Sequence, residues 1–219
     1  TCPQQPDAAV QPYITCSICD YSQCCNPGTA LNQSKGICES CGPGLYQDEQ
    51  HTVVCKVCEQ GLYQEEKGGL KCKQCKPGRF GHELKGRATE AAACELCPTG
   101  YYNLGSNKLE CLECEGGRYG PDTGAATKSS CRSCAPGKSS TNKGAKSEVE
   151  CKACDPGRYN ESPGSTSVCE YCPGGFYQQE GGERFCYQCP AGYYQASDTP
   201  VDRRTGCVMC APGKYIEFP

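Results

Sequence analysis

One short unit, repeated, limits what this chain can fold into. The stretch Cys172 to Cys189, CPGGFYQQEGGERFCYQC, opens on a cysteine, places Gly175 three residues on and Tyr177 five on, and closes in CxxC. The same unit starts at Cys25, Cys41, Cys58, Cys75, Cys97, Cys114, Cys134, Cys154, Cys189 and Cys210. All eleven copies keep the glycine, and nine keep Tyr or Phe at the fifth position, Ala30 and Ser139 being the exceptions. A fixed period of this kind means stacked supersecondary units rather than one enclosed core.

Cysteine is the other outlier, at 25 of 219 residues, beside 27 Gly, 16 Pro, one Met and no Trp. Ordering a backbone costs about 1–2 kcal/mol per residue, and so few aliphatic side chains cannot offset that. A bridge closing about 15 residues contributes roughly 3 kcal/mol in the chain-entropy account. The thiols are therefore read as oxidised, which places the chain outside the cell or at its surface. Net charge is −3 with both signs interspersed, so no basic patch for nucleic acid or a polybasic membrane contact stands out. No apolar stretch approaches the roughly 20 residues of a membrane span.

Three segments are expected: an atypical cysteine-rich N-terminal part over 1–37, tandem CxxC repeats over 38–210, and the start of a further, truncated repeat over 211–219. From Cys38 the CxxC pairs follow at 17 to 22 residues, and all of that variation lies between one CxxC and the next. The insertions 81–93 and 195–206 thus belong to surface loops. Each repeat reads as a Pro-Gly turn, a short strand carrying the aromatic, a polar turn and a second short strand. The fold class is small and disulfide-rich: an elongated array of about eleven β-hairpin or loop repeats with almost no helix. Only 83–93 could supply a turn or two.

If the copies are equivalent, the second cysteine of one CxxC pairs with the first of the next. That gives Cys41–Cys55, Cys58–Cys72, Cys75–Cys94, Cys97–Cys111, Cys114–Cys131, Cys134–Cys151, Cys154–Cys169, Cys172–Cys186 and Cys189–Cys207. At the front it leaves Cys2–Cys16, Cys19–Cys24 and Cys25–Cys38, with Cys210 unpaired and the polypeptide expected to continue past Pro219. A crossed scheme, such as Cys38–Cys55 with Cys41–Cys58, needs repeats that alternate, and the spacings do not.

CxxC pairs at this spacing also overlap tetrathiolate zinc sites. Eleven pairs cannot be divided two by two, however, and the adjacent Cys24 and Cys25 fit no ligand frame. Redox catalysis needs one CxxC at a helix N-terminus, not eleven in loops. His51 and His82 lie in separate loops without a nucleophile, and GPDTG (120–124) lacks the clustered oxygens of a calcium site. No enzyme, metal or other cofactor is expected. The repeated tyrosines are expected to lie on their own repeat's disulfide, with a ligand-binding aromatic stripe as the lesser reading. Asn32 and Asn160 head Asn-x-Ser sequons and are the glycosylation candidates.

Segments such as CESCGPGLY (38–46), CEYCPGGFY (169–177) and CYQCPAGYY (186–194) resemble the ephrin-receptor-like cysteine-rich repeat, of the growth-factor-receptor group, to which tumour-necrosis-factor-receptor repeats are similar. The resemblance covers about 25–215 and implies a β-poor, disulfide-laddered rod of the kind used in receptor ectodomains, matrix proteins and surface coats. It implies no ligand-contact residues here.

Uniform repeats suit periodic contacts. The first expectation is therefore an extracellular structural component of a filament, appendage or surface coat, with copies of itself or neighbouring extracellular proteins as partners. The alternative is the stalk or ligand-binding region of a cell-surface receptor, which should show as one repeat with an apolar or charged patch. In the sequence only Cys19–Cys25 departs from the pattern.

Overall fold

A computed structural model describes residues 25–81, 87–105, 109–195 and 206–214. Cys2, Cys16, Cys19 and Cys24, His82 and Tyr215 lie outside the described residues. Among the described residues the chain forms ten separate two-stranded antiparallel hairpins. The first pairs Thr29–Asn32 with Ile37–Ser40, and in the others most strands are two residues long. Strands this short do not hold themselves together in water. Their cross-links do so instead.

Nine bridges run Cys25–Cys38, Cys41–Cys55, Cys58–Cys72, Cys75–Cys94, Cys114–Cys131, Cys134–Cys151, Cys154–Cys169, Cys172–Cys186 and Cys189–Cys207. Their Cα separations of 5.5–5.8 Å suit unstrained disulfides. Cys97 and Cys111 are oxidised as well. Cys210 is the free thiol among the described residues.

Among the described residues helix is confined to short pieces. Glu90–Ala93 makes one α-turn, with Thr89 capping it by accepting from the Ala92 NH. Lys128–Ser130 and Glu148–Glu150 make single 3₁₀ turns. The described residues fall into two compact units. One runs to Leu96 and includes Asn103–Cys111, and the other takes Cys97–Tyr102 and the residues from Leu112 on.

Within each unit, consecutive repeats are joined by a recurring pair of backbone hydrogen bonds. The glycine three residues after the cysteine donates to the carbonyl six residues after the next repeat's cysteine: Gly28 to Gln47, Gly44 to Gln64, Gly117 to Ser140, Gly137 to Asn160 and Gly157 to Gln178, at 2.7–2.8 Å. The residue at the sixth position then donates into the following loop, as Gln47 does to Gly69 and Gln64 to Arg87, both at 3.0 Å. That glycine needs a left-handed backbone, with φ between 74° and 87° in all eleven copies, a region that L side chains enter only at a cost.

The double rung corrects the expected position of the tyrosines. Residues 61–64 are pinned to the following repeat, so the ring between them covers the following bridge. Tyr63 packs with Cys75, Ala93 and Cys94, and Tyr102 with Cys114, Ala125 and Cys131. Neither ring sits with its own repeat's disulfide. Each unit thus contains a small cluster made of one ring, the next bridge and an alanine.

Candidate functional site

The sixth position carries most of the buried polar chemistry. Gln47, Gln64, Asn103 and Gln178 are 0–4% exposed, and each side chain brackets its own loop. The amide of Gln47 donates to the Val54 carbonyl at 2.7 Å and accepts from the Glu49 NH at 3.1 Å. Gln64 repeats this with Lys71 and Glu66, Asn103 with Glu110 and Gly105, and Gln178 with Phe185 and Glu180. A buried amide with donor and acceptor both used fixes the loop that carries it. The sequence reading passed over these residues. Their signal was the Gln or Asn directly after the aromatic, as in LYQ (45–47), YYN (101–103) and FYQ (176–178).

The hairpins present their surface side chains in cross-strand pairs. In most of them the mate of the aromatic is charged and held by a partner. Lys56 faces Tyr46, lies 6.0 Å from its ring centroid and pairs with Asp48 and Glu49 at 2.7 and 2.9 Å. Those two carboxylates raise the Lys56 pKa well above its usual value, and Lys56 in turn lowers that of Asp48. Lys73 faces Tyr63 and pairs with Glu66 at 2.9 Å, and Arg132 faces Tyr119 and pairs with Asp122 at 3.3 Å. Glu170 faces Tyr159 and accepts from its hydroxyl at 3.3 Å. Burial, then the Glu170 charge, raises the Tyr159 phenol pKa.

Tyr102 faces Leu112 and Tyr194 faces Val208, and in the hairpin closed by Cys172–Cys186 the mate is itself aromatic. The mate of Tyr177 is Tyr187, with ring centroids 6.1 Å apart, and Phe185 meets Tyr187 edge to face at 5.4 Å. Phe185 is 43% and Tyr187 50% exposed. On the preceding hairpin Tyr171 is 41% exposed, with the Arg158 guanidinium 3.6 Å from its ring centroid. Among the described residues these three are the exposed aromatics, and all fall between 171 and 187. Glu170 and Glu180 are exposed on the same stretch. Aromatic side chains that stay at a surface carry contact energy at low entropy cost and are typical anchors of protein interfaces.

The other predicted residues are not brought to this cluster. The His51 side chain is exposed in its loop, and its NH donates to the Cys25 carbonyl at 2.8 Å. Asn32 ends a strand and donates to Glu39 at 2.9 Å. Asn160 donates to the Lys138 carbonyl of the preceding repeat at 2.8 Å. Among the described residues no group of His, Cys, Asp or Glu could hold a metal ion, and no helix is long and apolar enough to cross a membrane.

Two stretches, 86–131 and 168–205, match the family model described as tyrosine-protein kinase ephrin type A/B receptor-like. The second stretch contains the whole aromatic hairpin. No curated protein sequence matches the chain. Among solved structures, a chain of the human RANKL/OPG complex aligns at 18% identity over 74% of this chain and 82% of that chain, with a TM-score of 0.19. The bridges and repeats place the chain in an oxidising, extracellular or cell-surface setting.

Proposed function

We propose that this chain, built of ephrin-receptor-like cysteine-rich repeats over 86–131 and 168–205, is the ligand-binding region of an extracellular or cell-surface protein and performs no catalysis. The single observation that carries this reading is the Tyr177–Phe185–Tyr187 cluster, half-exposed on one hairpin, whereas in the other described hairpins the mate of the aromatic is a charged or an aliphatic side chain. An interface needs a few aromatic anchors with a polar rim, and the exposed Glu180 and Arg184 flank this one in sequence. The partner is therefore a protein with an apolar patch bordered by charged groups of both signs.

A filament or coat component would reuse one contact on every repeat. The aromatic cluster instead occurs once among the described hairpins, which favours a discrete ligand over periodic self-assembly. The test is the double substitution Phe185→Ser with Tyr187→Ser, made in the full chain. Binding to the extracellular surface of the source tissue should fall at least tenfold, since each anchor contributes about 2 kcal/mol or more. Intact mass before and after reduction must show the same bridges as the parent. Undiminished binding by a correctly bridged variant would remove the cluster from the interface.

A further inference from the structure

We propose that a cleft beside Ser139 is a seat for one aromatic side chain of a protein partner, in the place where other repeats put a ring of their own. At the fifth position Tyr63 and Tyr102 cover the following bridge. Ser139 holds that position in the Cys134 repeat, with its hydroxyl oxygen 3.7 Å from the sulfur of Cys169 in the following bridge, Cys154–Cys169. A hydroxyl cannot fill the space of a ring. What remains is a cleft of about 290 Å³ with Cys154 and Cys169 in its lining and Thr141, Glu150 and Lys152 on its walls. That volume lies at the lower limit of ligand pockets, roughly 300 Å³, so it suits a single ring rather than a larger molecule.

Charge complementarity selects an aromatic occupant over an aliphatic one. Lys152 is the cross-strand mate of Ser139, as Lys56 is of Tyr46. Lys56 lies 6.0 Å from the Tyr46 centroid, whereas Lys152 has no ring to face. It is exposed and makes no ion pair among the described residues. A ring seated at Ser139 would meet a cation on its negative face and the disulfide sulfurs on its other side. This seat uses different residues from the Tyr177–Phe185–Tyr187 cluster and stands or falls separately from it.

The probe is N-acetyltyrosinamide, titrated into the isotope-labelled full chain with amide NMR as the readout. Saturable, millimolar shifts are expected at Ser139, Thr141, Lys152, Val168 and Cys169, with N-acetylleucinamide at least fivefold weaker. Ser139→Tyr fills the seat from within, so it should abolish those shifts and raise the thermal midpoint. Lys152→Gln alters only an exposed side chain and should weaken binding about two- to fivefold, which tests the seat even if Ser139→Tyr fails to fold. The proposal is overturned if the shifts persist in a folded Ser139→Tyr protein, if Lys152→Gln leaves affinity unchanged, or if a methyl glucoside shifts the same amides at lower concentration than the tyrosine probe.

Discussion

The backbone nitrogen of Gly137 donates to the carbonyl oxygen of Asn160, 2.8 Å away in the next repeat. On its other side, an ideal Cβ at Gly137 would stand 1.9 Å from the carbonyl oxygen of Gly182. Gly28, Gly100 and Gly117 meet Gly68, Gly144 and Gly164 in the same way, at 2.1–2.5 Å. Repeats stack at backbone contact, and the glycine is what permits it. Gly137→Ala should therefore cost about 1–2 kcal/mol from its φ of +79° alone, with roughly 1–3 kcal/mol more from overpacking. Gly42→Ala is the control, since its Cβ meets nothing within 4 Å. Equal thermal midpoints for the two variants would contradict the close-packing account.

The amide brackets make a separate prediction. Gln178 is 1% exposed and serves the Phe185 carbonyl and the Glu180 NH at 2.9 and 3.1 Å. Gln178→Ala leaves both groups without that partner, at a cost of about 1–3 kcal/mol. Hydrogen exchange at the Glu180 amide should accelerate by at least tenfold. The loop carrying Phe185 should loosen with it, so partner binding should weaken although no interface ring has changed.

His51 is the one non-glycine at positive φ among the described residues, at 60°. Its NH meets the Cys25 carbonyl, as the NH groups of Gly68, Gly124 and Gly144 meet those of Cys41, Cys97 and Cys114. It occupies a glycine's place. His51→Gly should relieve about 1–2 kcal/mol of left-handed strain, less roughly 0.5–1 kcal/mol of added chain entropy. A rise in thermal midpoint is expected. His51→Val should lower it, because a β-branched residue enters that region least readily.

Acid should loosen the Glu90 turn only as the pH falls below the ordinary carboxylate pKa. Burial works against the Glu90 charge. It is outweighed by the Lys76 ammonium at 2.9 Å, the Lys76 NH and Arg79, so the pKa lies below the ordinary value. A lowered folded-state pKa gives stabilisation that is fully present above the unfolded carboxylate pKa, about 4.3, and is lost as pH falls through the lower folded value. Glu90→Gln should flatten that part of the stability profile. NMR titration of the Glu90 carboxyl should give a midpoint below the unfolded-chain value of about 4.3, and a midpoint above it would contradict the assignment.

The repeat made the hairpin architecture legible, because a fixed Gly, aromatic and CxxC leave room for two short strands and little else. The same regularity hid what distinguishes the copies. Ring placement on the following bridge depends on the rungs from Gly44 to Gln64 and from Gln47 to Gly69, which join residues about twenty apart and leave no local pattern. The aromatic hairpin did have a signal. CYQC is the one CxxC with an aromatic directly after its first cysteine, and Phe185 directly precedes it. The second strand, expected to run into the next cysteine, lies instead inside the CxxC, at Tyr187–Gln188, with Tyr187 facing the repeat's own tyrosine. The departure sought at Cys19–Cys25 falls mostly outside the described residues.

The central claim is that the hairpin at Tyr187 binds a different extracellular protein. It is tested most directly by photo-cross-linking the full chain in its native setting, with a benzoylphenylalanine at position 187 and, as control, at Val149, which is 88% exposed. The account predicts one cross-linked partner of a different sequence from position 187 and none from 149. Cross-links from both positions to copies of this same chain would contradict it and restore the periodic assembly first expected from the repeats.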